Sequence, residues 1–286
     1  GDYFKFREYI TGFTGSAGTA VFTKDKAGLW TDGRYFLQAA KQLSGSGITL
    51  MRERQPGVPS IEEYLKTTLK KGETLGFDGR CIMAEYADTL ITQLNALGVA
   101  VRTDIDLPGA VWEKRPLLSA QAVWPLPVEY AGESSESKIK QPLFILEEKY
   151  SGKSTADKIA DLRKAMKENG ADVHILTSLY DIAWLLNMRG NDVESTPVIL
   201  SYLLLGQQEI IWYVQEECLS EKIKILLEMQ GIKNAPYAQI YEDVKKLPEE
   251  ASVYYDKITA LFSFPISSNY IFYPSDNIMP NSLHTL

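Results

Sequence analysis

Two stretches of this chain, far apart in sequence, carry the same order of elements. Near the start, a short helical pattern at Tyr3–Ile10 precedes a glycine-rich loop and two strand patterns, Thr19–Thr23 and Ala27–Thr31. In the second half, Val198–Leu205 and Glu209–Val214 form a similar pair of strand patterns after a helical stretch. This repetition predicts two copies of one fold, because self-similarity at a fixed order of elements is the signature of an internal repeat.

The second copy has an opening that the first copy does not show. A helix is predicted to begin at Ser154, with Asp157 three residues on as its capping-box partner, and to end at Gly170. The apolar run Asp172–Thr177 then predicts a strand. The front copy is therefore expected to lack its opening helix and strand, a deficit of roughly 30 residues.

Helix and strand patterns alternate through the rest of the front copy, and this alternation predicts an α/β fold. We expect each copy to be a mixed β-sheet flanked by helices, and we expect Trp30 and Trp212 to occupy matching places. The predicted domains are residues 1–128, a linker with an insertion at 129–153, a second domain at 154–260, and an aberrant tail at 261–286 that lacks Lys, Arg and Glu.

Charge and apolar patterning exclude several classes of function. The formal net charge of -7 disfavours binding to a nucleic-acid backbone. No apolar run approaches the roughly 20 residues that span a bilayer, and the chain does not open with a secretory signal pattern, so a cytoplasmic protein is expected. The two cysteines, Cys81 and Cys218, make no motif and are expected to be small buried residues.

Neither histidine nor glycine patterning predicts a catalytic site. His174 lies inside a predicted strand and His284 lies near the end of the chain, without ligand partners at metal-motif spacing. The glycine-rich loop Gly12–Gly18 precedes a strand, whereas a phosphate-binding loop follows a strand and opens a helix. We interpret its glycines as allowing a tight turn and close packing, and Ser16 has no nearby histidine to activate it.

The turn at Thr31–Tyr35 is a more specific indication of a functional residue than the histidines or the glycine-rich loop. It ends a buried strand and starts a helix, placing Asp32 at the N-cap and Arg34 in the first helical turn. An arginine there opposes the helix dipole and needs a partner. That partner is either an internal ion pair that fixes the turn or a carboxylate from a ligand or a neighbouring domain, and the sequence leaves both open.

These motifs together resemble a known family. The segments Ile10–Val21 (ITGFTGSAGTAV) and Leu29–Ala39 (LWTDGRYFLQA) are similar to the first domain of the three-domain Xaa-Pro aminopeptidases. The segment Asp181–Asp192 (DIAWLLNMRGND), followed by Pro197 and by Ser201–Leu205, resembles their second domain. The resemblance spans roughly residues 3–258 and implies two creatinase/prolidase N-terminal domains, in agreement with the repeat.

The resemblance also implies where the chemistry takes place. In the family, a third domain of the pita-bread fold holds two metal ions, usually manganese, that activate water against the bond preceding proline. Nothing in this chain matches that domain, so no catalytic residue is carried over. The chain is therefore expected to be the non-catalytic N-terminal portion of an enzyme that removes the first residue from peptides with proline second.

The resemblance leads to expectations about partners as well. They are the catalytic domain of the parent enzyme, proline-containing peptides in that parent, and a second copy in a homodimer, with neither nucleic acid nor membrane. Arg34 and Asp32 are the candidate contact residues for substrate or for another domain. The alternative is a catalytically dead peptidase-like module that binds peptides or protein tails in the old cleft.

Overall fold

The computed structural model describes residues 2–116, 118, 143–193 and 196–256. Backbone contacts divide these residues into two compact units. The first unit contains residues 2–78 and 86–116, and the second contains residues 79–85 with those described from 118 onward. The tail and most of the predicted linker lie outside the described residues, and the predicted domain limits stay predictions.

The first unit begins with a single 3-10 turn and then alternates helices and strands. Its helices are α1 (Phe6–Thr11), α2 (Phe36–Gln42), α3 (Ile61–Thr68), α4 (Ala84–Ala96, whose first two residues group with the second unit) and α5 (Leu107–Val111). Its strands are β1 (Thr19–Phe22), β2 (Ala27–Thr31), β3 (Ile48–Arg52), β4 (Thr74–Gly76) and β5 (Ala100–Arg102).

The second unit repeats this alternation around a larger sheet. Its helices are α6 (Glu148–Ser151), α7 (Thr155–Glu168), α8 (Leu179–Leu186), α9 (Glu221–Met229) and α10 (Ile240–Val244). Its strands are β6 (Phe144–Ile145), β7 (Val173–Leu176), β8 (Met188–Arg189), β9 (Ser201–Gly206), β10 (Ile210–Val214), β11 (Lys233–Pro236) and β12 (Val253–Tyr255).

Strand pairing confirms the predicted repeat. In the first unit, β1 and β2 form an antiparallel hairpin, and α2 leads from β2 to the parallel strand β3. In the second unit, β9 and β10 form the matching hairpin, and α9 leads to the parallel strand β11. The mixed sheets and flanking helices are the predicted α/β fold, since a helix is the usual connection between neighbouring parallel strands.

The two sheets differ beyond this shared part. In the second unit β7 pairs antiparallel with β9 and parallel with β12, which gives a five-stranded sheet. In the first unit no strand of the described residues pairs with the other edge of β1, and β4 pairs only with β5. The structure thus agrees with the prediction that the first copy lacks the strand equivalent to β7.

The start of the second copy follows its local sequence signals. Ser154 caps α7 by accepting a hydrogen bond from the Asp157 amide at 3.1 Å, and its hydroxyl donates to the Asp157 carboxylate at 2.8 Å. The helix presents an apolar stripe to the core that includes the buried Ile159, Leu162 and Met166. These contacts confirm the predicted start of the helix at Ser154, with the Asp157 carboxylate accepting from the Ser154 hydroxyl rather than from its backbone amide as in a capping box.

The hairpin register corrects one detail of the repeat. Phe22 pairs with Ala27, and Leu205 pairs with Ile210, so four residues separate the paired ends in both hairpins. Counting from these pairs, Trp30 is equivalent to Tyr213, whereas Trp212 is equivalent to Leu29. The prediction that the two tryptophans match was therefore wrong by one residue, and a one-residue offset in a strand reverses the face.

Burial agrees with this register. Trp212 packs in a cluster with residues of α7, α8 and α9, and Leu29 packs with residues of α2. Tyr213 packs with residues of α10, while the Trp30 ring lies 5.0 Å from that of Tyr64 in α3. Both units thus place equivalent helices on equivalent faces of the hairpin.

Two further observations concern single features. Cys218 is buried as expected, but Cys81 is exposed in the 3-10 turn that follows the parallel strand β4, so that expectation was wrong for Cys81.

Among the helices that the structure describes, none has the length and apolar character needed to cross a bilayer.

Candidate functional site

The glycine-rich loop of the first unit wraps around a buried phenylalanine ring. Phe13 has no solvent exposure. A Cβ atom on Gly15 would lie 2.2 Å from the Phe13 ring, closer than any real side chain approaches. The loop therefore needs glycine for close packing, which supports the structural interpretation over a phosphate-binding one.

The same loop is held by donors that use its carbonyl groups. Arg7 of α1 donates to the carbonyls of Gly15 and Gly18, with 2.7 Å to the latter, and the Thr31 hydroxyl donates to the Ala17 carbonyl at 2.7 Å. Burial lowers the pKa of Arg7 from its ordinary value. The hydrogen bonds from Arg7 to two of its carbonyl oxygens fix the conformation of this loop, so we interpret the loop as a structural element.

Arg7 is a residue that sequence reasoning missed. It lies in a short helical pattern in which a charged side chain is expected to face solvent. The signal in the sequence was the position of Arg7, five residues before Gly12, where the helix ends. A side chain at this position can reach the loop that follows the helix.

The predicted turn at Asp32 and Arg34 forms as expected. Asp32 accepts a hydrogen bond from the Arg34 amide at 3.0 Å and caps the 3-10 turn Gly33–Tyr35 that opens α2. The Arg34 guanidinium donates from Nε at 2.9 Å and from Nη2 at 2.7 Å to the two carboxylate oxygens of Asp32. The structure therefore shows the internal ion pair, one of the two partners that the sequence left open.

The ion pair between Asp32 and Arg34 shifts the pKa values of both groups. The hydrogen bonds from Arg34 lower the pKa of the Asp32 carboxyl to about 2, and the pairing raises the pKa of Arg34. The Arg34 side chain remains 69% exposed and lies over the Tyr35 ring. Ser16 meets the Tyr35 hydroxyl at 2.5 Å, so the turn and the glycine-rich loop touch at this edge.

The second unit has an equivalent turn with different residues. A 3-10 turn at Glu216–Cys218 follows β10, as the turn at Gly33–Tyr35 follows β2. Its Glu216 carboxylate accepts from Lys224 at 3.5 Å. A charged turn at this place is thus a property of the fold in both copies.

Replacing Arg34 with alanine is expected to release the Asp32 carboxylate. The pKa of Asp32 should rise from about 2 toward the ordinary aspartate value of about 3.9, because its two charge-assisted hydrogen bonds are lost. Since the pair is exposed, the melting temperature should change little. A carbon-13 NMR titration of the Asp32 carboxyl measures the shift, and Asp104, paired with Arg102, is the internal control. An unchanged Asp32 titration would contradict the clamp.

Metal ligands do not converge in the described residues. No group of three or more His, Cys, Asp or Glu side chains that could hold a metal ion occurs within residues 2–116, 118, 143–193 and 196–256. His174 is buried in β7, and burial lowers its pKa to about 4. The donors present in this part of the chain do not fit a two-metal centre, so no chemical step through a metal is assigned to them.

Comparison with known proteins defines the class. Residues 5–115 match the family model "Creatinase/Prolidase N-terminal domain", and residues 139–273 match a second family model with the same description. The chain therefore belongs to the creatinase/prolidase N-terminal domain family, of which it carries two domains in tandem.

Relatives of known name narrow this class. Xaa-Pro aminopeptidase 1 of Dictyostelium discoideum is 37% identical over 238 residues, which cover 83% of this chain and 36% of that protein. Aminopeptidase P2 of Arabidopsis thaliana is 36% identical over 247 residues, covering 84% and 31%. This chain thus spans about a third of the length of the curated relatives it matches.

A solved structure agrees with these sequence relatives. The crystal structure of X-prolyl aminopeptidase from Caenorhabditis elegans, described as a cytosolic enzyme with a di-nuclear active site, superposes with a TM-score of 0.83 at 26% identity. The match covers 96% of this chain and 43% of that one. The two tandem domains are therefore those of the Xaa-Pro aminopeptidase type.

Proposed function

We propose that this chain is the non-catalytic N-terminal portion of an Xaa-Pro aminopeptidase, a metallopeptidase that removes the first residue from peptides with proline second. The observation that carries the proposal is the match to such enzymes over more than four-fifths of this chain and only about a third of theirs. In this proposal the catalytic chemistry belongs to the remainder of the parent enzyme, with two manganese ions in its third domain.

The arrangement of the described residues supports a shaping role. The polar groups at the glycine-rich loop and at the Asp32 turn are committed to the fold of the first unit, because Arg7 and Thr31 hold the loop and Asp32 pairs with Arg34. The described residues show no metal-ligand cluster of three or more donors. We therefore assign to these two domains the shaping of substrate access and of subunit contacts in a cytoplasmic homodimer.

Activity measurements test the first part of the proposal. The purified chain, incubated with Mn²⁺ and a peptide with proline second, should release no N-terminal residue above a control with chelator. Metal-dependent release of that residue by the chain alone would contradict the proposal.

A chimera tests the second part. The matching 238 residues of the Dictyostelium enzyme would be replaced with their equivalents from this chain. We expect the chimera to keep kcat/KM for an Xaa-Pro peptide within about tenfold of the unmodified enzyme. A folded chimera with no activity would favour the alternative of a peptide-binding module unrelated to catalysis.

The same chimera tests Arg34 as a contact residue, which stays a prediction. If Arg34 contacts substrate or another domain, Arg34→Ala should lower kcat/KM by about tenfold or more with little change in melting. If the residue only fixes its own turn, kcat/KM should remain unchanged. Arg102→Ala, which breaks a similar exposed pair with Asp104, is the matched control.

A further inference from the structure

Two strands of the first unit each have one edge without a partner strand among the described residues. There, β1 pairs only with β2, and β4 pairs only with β5. Val21 of β1 and Leu75 of β4 nevertheless pack against the same hydrophobic cluster, which includes Leu65 of α3 and Leu90 of α4. The two strands are therefore covered by the same helices without bonding to each other.

The second unit shows what lies between the equivalent strands. The matching hairpins make β9 equivalent to β1. β12 is equivalent to β4, because each is reached through the helix that follows the parallel strand, α10 after β11 and α3 after β3. β7 lies between β9 and β12 and bonds to both, antiparallel to β9 and parallel to β12. We call the corresponding place between β1 and β4 the insertion site.

Two residues of β1 direct their backbone groups toward the insertion site. The Thr23 amide donates to the Lys26 carbonyl at 2.8 Å, which sets the alternation of hydrogen-bonded pairs along the hairpin. The N–H and C=O groups of Ala20 and Phe22 therefore point away from β2. Within the described residues, these groups make no hydrogen bond.

The hairpin of the second unit shows the same alternation with its third strand in place. The Gly206 amide donates to the Glu209 carbonyl at 2.8 Å, so the backbone groups of Leu203 and Leu205 point away from β10. Both leucines pair with residues of β7. Counted from the hairpin pairs, they are equivalent to the two outward-pointing residues of β1.

Two residues of β4 present backbone groups in the same way. The Phe77 amide donates to the Arg102 carbonyl of β5 at 3.0 Å, and the Glu73 carbonyl accepts from β5 at 2.9 Å. Because backbone direction alternates along a strand, the N–H and C=O groups of Thr74 and Gly76 point away from β5. The structure shows no hydrogen bond to these groups from the part of the chain that it describes.

Side-chain burial differs between the two copies in the same sense. Phe22 is 47% exposed, whereas the equivalent Leu205 is 0% exposed. No residue of β1 or β4 is fully buried, while every residue of β12, and every residue of β9 except the last, is buried. A strand added at the insertion site would cover apolar surface on both sides, and burial of apolar surface is the main favourable contribution to association.

Charges at one end of the insertion site favour an acidic residue there. A strand that is antiparallel to β1 and parallel to β4 begins beside the end of β1 and the start of β4. The segments at this end carry four lysines and two carboxylates, an excess of two positive charges: Lys24, Lys26, Lys70, Lys71, Asp25 and Glu73. In the second unit, β7 likewise begins directly after Asp172. Charge complementarity therefore favours an acidic residue just before the added strand.

We propose that the insertion site binds one extended apolar strand of another polypeptide, preceded by an acidic residue. The strand runs antiparallel to β1 and parallel to β4, and its alternate residues bond to Ala20 and Phe22 on one side and to Thr74 and Gly76 on the other. A second copy of this chain that paired through β1 alone would leave the groups of β4 without partners. The proposal concerns binding alone and does not depend on the proposed aminopeptidase function.

A synthetic peptide with the sequence of residues 170–178 (GADVHILTS), labelled and with blocked ends, is the probe, because it contains β7 and the acidic residue before it. We expect saturable binding to the full chain by fluorescence anisotropy and slower hydrogen exchange of both β1 and β4 in the complex. In the peptide, His174→Pro removes a donor to β1 and should weaken binding at least about tenfold. Asp172→Lys in the peptide should weaken binding at low salt.

Variants of the chain test the two sides of the site separately. Ala20→Pro removes the outward amide of β1 and leaves the hairpin bonds intact, and Thr74→Pro does the same for β4. Each should weaken binding at least about tenfold. Ala20→Ser and Thr74→Ser keep the amides, and these matched controls should bind like the original chain.

Several outcomes would overturn the proposal. They are no saturable binding at millimolar peptide, undiminished binding of the proline peptide or by either proline variant, and protection of β1 without β4. Slow exchange of the Ala20 and Thr74 amides in the chain without peptide would show that another part of the chain fills the site, which also contradicts it. Circular dichroism shows whether a chain variant has lost its fold, and the proline peptide tests the pairing without any change to the chain.

Discussion

Acidification from pH 7 to pH 4 is expected to destabilise the second unit by about 3 kcal/mol through His174 alone. His174 lies in β7 between Leu205 and Tyr254 on the neighbouring strands and is 4% exposed. Burial lowers its pKa from the ordinary 6.5 to about 4. Among the described residues its Nδ1 atom has no hydrogen-bond partner, and none of them forms a bond there that would stabilise the charged form.

The direction of this pH effect on stability follows from the lowered pKa of His174. A histidine whose pKa is lower in the folded state is neutral there and is protonated first in the unfolded chain. The stability that its burial permits is therefore complete above about pH 6.5 and is lost as the pH falls toward 4. The loss should precede the acid effects of carboxylates such as Asp243, whose pKa is lowered.

Urea unfolding followed by hydrogen exchange of peptides covering β7 and β9 measures this effect for the second unit. His174→Leu should be as stable as the original chain at pH 7, because it replaces a group whose Nδ1 is unpaired, and should lose much less stability by pH 4.5. His284→Leu is the matched control, since it removes the other histidine and leaves β7 intact. Equal acid sensitivity of His174→Leu and the original chain would falsify this prediction.

Removal of the buried Lys158 side chain is expected to cost about 3 kcal/mol. Lys158 lies in α7 and is 1% exposed. Its ammonium donates to the Trp184 carbonyl at 2.7 Å and to Asn187 Oδ1 at 2.5 Å, and it lies 4.5 Å from the centre of the Trp184 ring. Burial, with a further contribution from Arg189 and Lys153, lowers its pKa to about 8.

These contacts hold the end of α8. Asn187 terminates that helix in a left-handed conformation with φ of +51°, and its Nδ2 donates to the Lys153 carbonyl at 2.9 Å. A lysine at the C-terminus of a helix satisfies carbonyl groups and complements the helix dipole. Lys158→Ala would leave these acceptors unpaired beside a cavity, and both effects destabilise the fold.

Two further variants separate the cost of the unpaired acceptors from the cost of the cavity. Lys158→Met refills the volume but donates no hydrogen bond, so it should cost about 1 to 2 kcal/mol. Lys164→Ala, at an exposed position of the same helix, should change stability by less than about 0.5 kcal/mol. Denaturant unfolding of the second unit gives all three values. A cost below about 1 kcal/mol for Lys158→Ala would show that the ammonium does not hold α8.

Local sequence signals located the elements with little error. The helix start at Ser154, the strand pair Val198–Leu205 and Glu209–Val214, and the alternation of helix and strand all correspond to observed features. These signals are local, because caps, turns and periodicity depend on neighbours within a few residues. The Asp32 and Arg34 turn belongs to the same class, since both partners lie within one turn of backbone.

Features that depend on distant partners were found only in the fold. Trp30 and Trp212 were matched as conspicuous aromatic residues, but the hairpin pairs placed them on opposite faces. Lys158 has the charge of a surface residue in an amphipathic helix, yet the end of α8 provides acceptors that keep it buried. The partial burial of Arg7 and its hydrogen bonds likewise depend on the path of the loop that begins at Gly12.

The sequence by itself determined the two related α/β domains, their element order and the absence of a phosphate-loop pattern, because these depend on composition and short-range spacing. The tertiary structure decided which face each strand residue occupies, the enclosure of Lys158 and His174, and the pairing that places Arg52 of β3 beside Thr31 of β2. Parallel pairing of β2 and β3 joins residues twenty-one positions apart in the sequence. Such proximity arises from hydrogen bonding between strands, which no spacing along the chain specifies.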